Sequence, residues 1–373
     1  MNETSSSSQA VWQAFRARTH FGSLDGLRAL SILAVVWHHG PGARARTIWE
    51  GKGGQRGVVL FFAISGFLIT TLLLREHDRN GSISLAGFYA RRSLRIFPLY
   101  YAVLGIYVVL LLLSPAAGSA EFFHNLPYFL TYTSNWLFSG GIFAFAWSLA
   151  SEEQFYATWP SVLKFARPKR AVWFVMLLLA ASIAWTQLGT TEMRVNSWFF
   201  TVLASVQMAI CWGCLVAFLL HSPKGFHIAR LVLGHRPAAP IALLLMPLSL
   251  LFPQILLVGL HFTCAVLVCA CVVREDSGLA PVLRWRPIAH IGLVSYGIYM
   301  LHGLVYNALD IAGPRVLRGW TPHTVSGFVL AALIATALAT LSYRYFEGPF
   351  LALKSRLASR SSKPAIAPAA ATD

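Results

Sequence analysis

Charged residues are scarce in this sequence. Asp, Glu, Lys and Arg make up 12% of its 373 residues, whereas a soluble domain carries about a quarter. Apolar residues make up 56%, and the mean hydropathy is +0.60. Most of the chain therefore has no need to face water, which argues against an ordinary soluble fold and predicts an all-α, polytopic transmembrane helix bundle.

Cysteine is also rare, and its placement argues against a disulfide framework. The five cysteines all lie inside apolar stretches: Cys211, Cys214, Cys264, Cys269 and Cys271. Cys211 and Cys214 have CxxC spacing but no neighbouring His or acidic residue, so we interpret each cysteine as a small apolar residue and expect no metal. The N-terminal stretch, 1–21, lacks the charged-then-apolar order of a signal peptide, so the first apolar segment is expected to stay in the protein.

Acidic residues are few: 14 stand against 30 Lys and Arg, for a net charge of +16. The basic residues lie in short segments between apolar runs, so membrane topology explains them better than nucleic-acid binding does. We therefore expect no nucleic acid among the partners. Anionic lipid or an anionic cofactor is the expected counterpart of this charge.

Apolar runs long enough to cross a membrane predict about ten spans. They lie near 24–40, 57–74, 97–115, 147–165, 172–188, 198–220, 238–252, 254–273, 289–309 and 325–346. The aromatic stretch 121–141 is broken by Pro and Gly, so we interpret it as an interfacial or re-entrant segment. No internal repeat is visible, so the inverted-repeat signature of many transporters is missing.

The distribution of Lys and Arg predicts the orientation of these spans. If the N-terminus is inside, the inner segments hold 21 of the 30 basic residues and the outer segments hold 7. This bias predicts that both termini are cytoplasmic. The expected organisation is a cytoplasmic segment over 1–20, a transmembrane domain over 21–352 and a disordered cytoplasmic tail over 353–373.

Charged residues inside a span are costly and usually mark a functional interior. In the first span, LDGLRALSILAVVWHHG, Arg28 and His39 are eleven residues apart. On a helix they differ by about 20° and lie roughly 16 Å apart, and Asp25 falls about 40° to the other side of this face. His38 points roughly 100° away. We favour a functional stripe, although a snorkelling Arg and an interfacial His also explain the two residues separately.

Three arginines follow the second span in the segment FYARRSLRIFPLYY. Arg91, Arg92 and Arg95, here called the arginine cluster, can line one side of a short helix. Guanidinium groups interleaved with aromatic rings suit a phosphate or a stacked base. A positive-inside signal that contacts lipid headgroups explains the same residues.

Two adjacent carboxylates open the fourth span, in FAWSLASEEQFYATWP. Glu152 and Glu153 follow Ser148 and precede Tyr156, and packing alone does not explain such a pair inside a membrane. One of the two carboxylates could still face water at the helix end, because neighbours point about 100° apart. His302 lies in the aromatic segment SYGIYMLHG, where a hydrogen-bonded interior residue is the simpler interpretation.

Five of these segments, in this order, resemble the acyltransferase-3 family of integral membrane acyltransferases, from about residue 24 to 350. Arg28 and His39 fit the spacing of the family's first-span signature, and Arg92 and Arg95 fit its Arg-x-x-Arg pattern. The blocks GVVLFFAISGFLIT, WSLASEEQFYATWP and YRYFEGPF are also similar, although Val59 stands where many members have Asp. Some members append an extracytoplasmic esterase-like domain, which we do not expect here.

The resemblance implies an O-acyltransferase of the bacterial inner membrane that acylates a surface or lipid-linked glycan. The donor would be cytoplasmic acyl-CoA, commonly acetyl-CoA, whose phosphates the arginine cluster would hold. His39 would be the base, Arg28 would bind the donor or steady the thioester oxygen, and Glu152 or Glu153 would orient His39 or the acceptor. The remaining polar residues are assigned to substrate binding: Asp25, Ser148, Tyr156 and His302. Direct transfer and a covalent acyl-histidine intermediate both fit these residues.

Two other functions compete with acyl transfer. In a transporter or flippase for a lipid-linked glycan or amphiphile, the intramembrane Arg, His and Glu residues would couple protons to transport. In a non-catalytic scaffold of a polysaccharide assembly complex, His39 would be dispensable. The missing repeat, the arginine cluster and the family resemblance favour the enzyme.

Overall fold

The computed structural model describes residues 2–43, 53–137, 141–248, 255–316 and 320–353. These residues form helices and turns, with no strand among them, which confirms the predicted helical class. The first half of the chain forms α1 (Asn2–Ala17), α2 (Gly22–His39), α3 (Gly53–Asn80), α4 (Leu85–Leu113), α5 (Ser119–Leu130) and α6 (Trp147–Leu188).

The second half contains shorter and more broken helices. They are α7 (Thr191–Asn196), α8 (Trp198–Ser205), α9 (Met208–His221), α10 (Pro223–Leu233), α11 (Ala238–Leu248), α12 (Ile255–Val273), α13 (Ala280–Leu283), α14 (Arg286–Leu293), α15 (Ser295–Val316) and α16 (Val325–Leu341). A π-helical turn, Ser342–Glu347, continues α16.

The number of membrane spans differs from the predicted ten. Within the described residues, four helices are long and apolar enough to cross a membrane: Arg56–Asn80, Leu85–Leu113, Ala144–Leu188 and Val325–Leu353. Three bent pairs raise the count to seven: α8 with α9 (52°), α10 with α11 (77°) and α14 with α15 (76°). Ten spans and the side of each terminus are therefore predictions that the structure does not confirm.

Two of the predicted spans are parts of one helix. The runs 147–165 and 172–188 form the 42-residue α6, which is kinked where Arg167 adopts φ 63° and ψ 152°. Arg167 precedes Pro168, and a residue before proline is pushed out of the helical region. Arg167 is therefore not helical, and α6 consists of two helical segments that meet at this kink.

The first predicted span forms the central helix of the bundle. The 18-residue α2 packs against α3, α14, α15 and α16, and its Leu24, Leu27, Ile32 and Val36 are fully buried. It is not one of the four helices that are long and apolar enough to cross a membrane. Its polar residues therefore face protein neighbours on several sides.

The backbones of α3 and α9 approach closely at two glycines. A Cβ atom on Gly66 would lie 2.1 Å from the carbonyl oxygen of Ile210, and one on Gly213 would lie 2.2 Å from that of Ala63. Small residues permit such close helix contacts in membrane proteins. This contact fixes α3 against α9.

The structure describes the N-terminal segment of the chain almost completely and the C-terminal tail hardly at all. The segment 1–20, predicted to be a polar cytoplasmic segment, forms α1, whose Phe15 ring lies 5.0 Å from that of Phe226. Trp12 Nε1 donates to the carbonyl of Leu220 at 3.3 Å. The predicted disordered tail lies outside the described residues, apart from Leu353.

The arginine cluster lies on a helix that begins earlier than the predicted third span. Ser84 caps α4 by accepting a hydrogen bond from the Gly87 amide at 3.2 Å, and the helix then continues through Pro98 to Leu113. The segment that we predicted as an inner loop with a short helix is therefore the first turns of a 29-residue helix. This places the arginines on the wall of the bundle.

Candidate active site

A cavity of about 160 Å³ lies between α2, α3, α4, α6 and α15. Its walls carry six of the residues predicted from the sequence: Arg28, Arg92, Arg95, Ser148, Glu152 and Tyr156. These residues come from helices that are far apart in the sequence. The polar wall is therefore assembled by the tertiary fold.

Arg92 is held in place by two carboxylates. Its Nε lies 3.2 Å from Glu153 Oε1, and its Nη2 lies 3.3 Å from Glu152 Oε1. The guanidinium also stacks on the Tyr156 ring, 3.9 Å from the ring centroid. Glu152 accepts further hydrogen bonds from the hydroxyls of Ser65 and Tyr156. The carboxylates predicted to orient His39 or the acceptor therefore compensate the charge of Arg92.

Arg28 and Arg95 bring two further cations to the cavity. Arg28 Nη1 donates to Asp25 Oδ1 at 2.8 Å, and the other oxygen of Asp25 lies 2.7 Å from His20 Nε2. Arg95 makes no ion pair with any carboxylate in the described part of the chain, and its side chain is exposed. Arg95 is thus the cavity cation that has most freedom to bind an anion.

Arg91, the third member of the arginine cluster, is directed elsewhere. Its Nη2 lies 3.2 Å from Glu76 Oε2, and Arg91 does not line the cavity. The structure therefore divides the cluster: Arg91 ties α4 to α3, Arg92 ties α4 to α6, and Arg95 has no carboxylate partner among the described residues.

His39 lies beyond the cavity, in contact with a second histidine. The rings of His39 and His302 are 4.6 Å apart and edge-to-face. His39 Nδ1 lies 3.0 Å from the Val35 carbonyl, and His302 Nδ1 lies 2.6 Å from that of Tyr299. A carbonyl can only accept, so each Nδ1 donates and each Nε2 keeps its lone pair. His302 is 1% exposed, and its Nε2 has no hydrogen-bond partner among the described residues.

One turn of α15 connects the cavity to this histidine pair. Tyr299 lines the cavity, and His302 follows it by three residues. The hydroxyls of Ser148 and Tyr299 are 2.6 Å apart, and Tyr299 donates to the Phe145 carbonyl at 2.6 Å. The Phe145 ring lies 5.0 Å from that of His302. His38, by contrast, contacts His39 at 5.2 Å and does not line the cavity.

A family model described as an acyltransferase domain matches residues 21–344. The chain belongs to the acyltransferase-3 family. It is 30% identical over 375 residues to the peptidoglycan O-acetyltransferase OatA of Listeria monocytogenes, covering 89% of this chain and 56% of that protein. The family match and the candidate spanning helices together show that the chain is a multi-pass membrane protein.

Two further relatives carry similar names. The chain is 31% identical over 364 residues to a putative peptidoglycan O-acetyltransferase, YrhL, of Bacillus subtilis, covering 87% of this chain and 54% of that protein. It is 25% identical over 350 residues to the O-acetyltransferase OatA of Staphylococcus aureus, covering 87% and 56%. The chain spans about half the length of these curated relatives. No solved structure matches it.

The cavity of this family member also uses residues that sequence reasoning missed. Ser65, Tyr296 and Tyr299 line it, and Glu76 holds Arg91. The tyrosines lie in the aromatic segment that drew attention to His302, and their period of three places them on one face of α15. Ser65 gave no signal, because a serine in an apolar helix is common.

Proposed function

We propose that this chain is a membrane-bound O-acetyltransferase that moves an acetyl group from cytoplasmic acetyl-CoA to a hydroxyl of a surface or lipid-linked glycan. The names of its relatives support acetylation of a glycan such as peptidoglycan. The observation that carries the proposal is a cavity lined both by Arg95, which has no carboxylate partner among the described residues, and by Tyr299, which lies one turn of α15 from the histidine pair. We place the protein in the bacterial cytoplasmic membrane.

Arg95 is the principal ligand for the phosphates of the donor. Phosphate binds guanidinium through charge-assisted hydrogen bonds, and an arginine with no carboxylate partner can supply them without breaking an ion pair. Arg28 lies on the same wall and shares its charge with Asp25, so it serves better to steady the thioester oxygen. Arg92 acts by positioning α4 against α6.

The size of the cavity limits which part of the donor it holds. On this measure a single water takes about 10–15 Å³, so 160 Å³ admits on the order of ten waters. That space suits the narrow thioester arm of acyl-CoA and is too small for the nucleotide. The nucleotide therefore stays at the mouth, and the acyl end points toward Ser148 and Tyr299.

His39 is the general base of the transfer. Its Nδ1 donates to Val35, which leaves the Nε2 lone pair to accept the proton of the acceptor hydroxyl. The hydroxyl oxygen attacks the thioester carbonyl, the new C–O bond forms, and the C–S bond breaks. The proton on His39 then passes to the departing CoA thiolate. His302 packs against the base and holds it in this orientation.

The proposal can be tested with the purified protein in lipid nanodiscs. Labelled acetyl-CoA is supplied with a soluble peptidoglycan fragment, and the label on the fragment is followed by mass spectrometry. We expect acetyl transfer, with slow release of free CoA when the fragment is omitted. His39→Ala is the control for contaminating activity. A preparation that neither transfers acetyl groups nor hydrolyses acetyl-CoA would favour the alternative, a transporter for a lipid-linked glycan or amphiphile.

A further inference from the structure

A second basic site lies away from the cavity that holds Arg95. Five arginines surround two adjoining depressions of about 340 and 600 Å³, which share Asp276 and Arg284. These arginines, here called the arginine basin, are Arg18, Arg230, Arg236, Arg274 and Arg284. They come from the segment after α1, from α10 and the turn that follows it, and from the segment between α12 and α14.

The acidic residues in the basin compensate only part of this charge. Asp276 lies 3.1 Å from Arg274 and 3.9 Å from Arg236. Glu275 is the only other carboxylate on the lining, so five positive charges face two negative ones. Within the described residues, Arg18, Arg230 and Arg284 make no ion pair with any carboxylate. Three guanidinium groups without a carboxylate partner therefore surround one depression, and one of them, Arg18, also donates from Nη1 to the Val272 carbonyl at 3.2 Å.

Exposed apolar side chains adjoin two of the basin arginines in the sequence. On α10, Leu231 is 62% exposed and Val232 is 66% exposed, next to Arg230 in the sequence. Val282 and Trp285 flank Arg284 and are 57% and 61% exposed. In a membrane protein such surfaces face lipid chains, and an exposed Trp is typical of the headgroup level.

We propose that the arginine basin binds the phosphate headgroup of an anionic phospholipid. The guanidinium groups without a carboxylate partner match a phosphodiester, and the exposed apolar neighbours of Arg230 and Arg284 match the acyl chains attached to it. A free nucleotide or inorganic phosphate would match the guanidinium groups, but it has no acyl chains to contact the apolar side chains. If these arginines served only to orient the helices in the membrane, positive charge on that side would suffice, and three cations would not need to gather around one depression.

The test measures how many lipids the detergent-solubilised protein binds, by native mass spectrometry. Phosphatidylglycerol and phosphatidylcholine are titrated separately into the wild-type protein. We expect one phosphatidylglycerol to bind more tightly than all others, and phosphatidylcholine to show no such copy. The double variant Arg230→Gln/Arg284→Gln should weaken the first phosphatidylglycerol at least tenfold, because it removes two of the three unpaired cations.

The matched control removes the same charge elsewhere. Lys169 and Arg170 are exposed on α6, so Lys169→Gln/Arg170→Gln should change the affinity less than threefold. If the glutamine pair in the basin fails to fold, Arg230→Lys/Arg284→Lys keeps the charge but not the bidentate geometry, and it should weaken binding about threefold to tenfold.

Three results would overturn the proposal. Equal affinity for both lipids would show that the headgroup is not recognised. An equal loss in the basin and control variants would reduce the effect to general electrostatic attraction. Displacement of the bound phosphatidylglycerol by millimolar inorganic pyrophosphate or CoA would show that the basin takes a free phosphate compound.

Discussion

Arg92 and Arg95, three residues apart on α4, should respond in opposite ways to the same substitution. Arg92 lies between Glu152 and Glu153, and the three side chains are 16%, 15% and 11% exposed. Arg92→Gln leaves two carboxylates together without their cation, and breaking such a pair costs about 3–5 kcal/mol of folding stability. Partial exposure places the expected loss near the lower end, about 3 kcal/mol.

Arg95→Gln should weaken donor binding and leave folding stability nearly unchanged. Arg95 makes no ion pair in the described residues, so its removal leaves no orphaned carboxylate. If Arg95 binds donor phosphate, the variant loses a charge-assisted contact worth about 1.5–3 kcal/mol. That loss corresponds to a rise in the KM for acetyl-CoA of about 10-fold to 150-fold. Arg92→Gln should raise it much less in the molecules that remain folded.

Two measurements separate these effects. Thermal unfolding in nanodiscs reports stability, and initial transfer rates over a range of acetyl-CoA concentrations report KM. Arg91→Gln is a control on the same helix, because Arg91 pairs with Glu76 outside the cavity and should leave KM unchanged. If Arg92→Gln is stable and raises KM as much as Arg95→Gln does, the division of roles inferred from the ion pairs is wrong.

The other expectations concern the base, the topology and the packing. His39→Ala should lower transfer about 10²–10⁴-fold in a folded protein, whereas His38→Ala should retain most activity; the reverse result would refute the assigned base. Reporter fusions at Gly53 and Gly313 should read external, and a cytoplasmic reading at Gly53 would refute the predicted orientation. Gly66→Val should lower the unfolding temperature, because its Cβ would overlap the backbone of α9. Unchanged stability would show that α3 and α9 can move apart at little cost in free energy.

Sequence reasoning is most informative where a single helix contains the information. Periodicity placed Arg28 and His39 on one face of α2. In the structure Arg28 lines the cavity and His39 lies against His302 of α15, and the shared role of the two residues stays a prediction. Apolar composition gave the helical class for the same reason, since it depends on each segment alone.

Partner choice could not be read from the sequence. In the structure Arg92 binds both Glu152 and Glu153 across about 60 residues of chain, a pairing that the sequence did not indicate. The roles assigned to the three residues stay predictions. Periodicity orders residues within a helix and says nothing about which helix faces another. The same limit hid the pairing of Arg91 with Glu76.

The predicted number of spans is not confirmed, for a different reason. Hydropathy counts apolar length, and it treats a kink as a boundary. The basic segment around Arg167 separates two apolar runs in the sequence, and in the structure α6 is kinked there because the backbone of Arg167 is not helical. Conversely, Ser205 and Met208 belong to two helices bent by 52° inside a single apolar run. Bends depend on local backbone geometry, which composition does not report.

The cavity wall begins at Arg28 and ends at Tyr299, so its parts emerge from the ribosome at widely separated times. A nascent chain that has inserted α2, α3, α4 and α6 has most of the polar groups but lacks the wall that α15 provides. If the cavity holds the donor thioester as proposed, no complete site for it exists until Tyr299 and His302 are in place. Transfer activity would then arise late in synthesis, and two separately expressed halves of the chain should be active only when they associate.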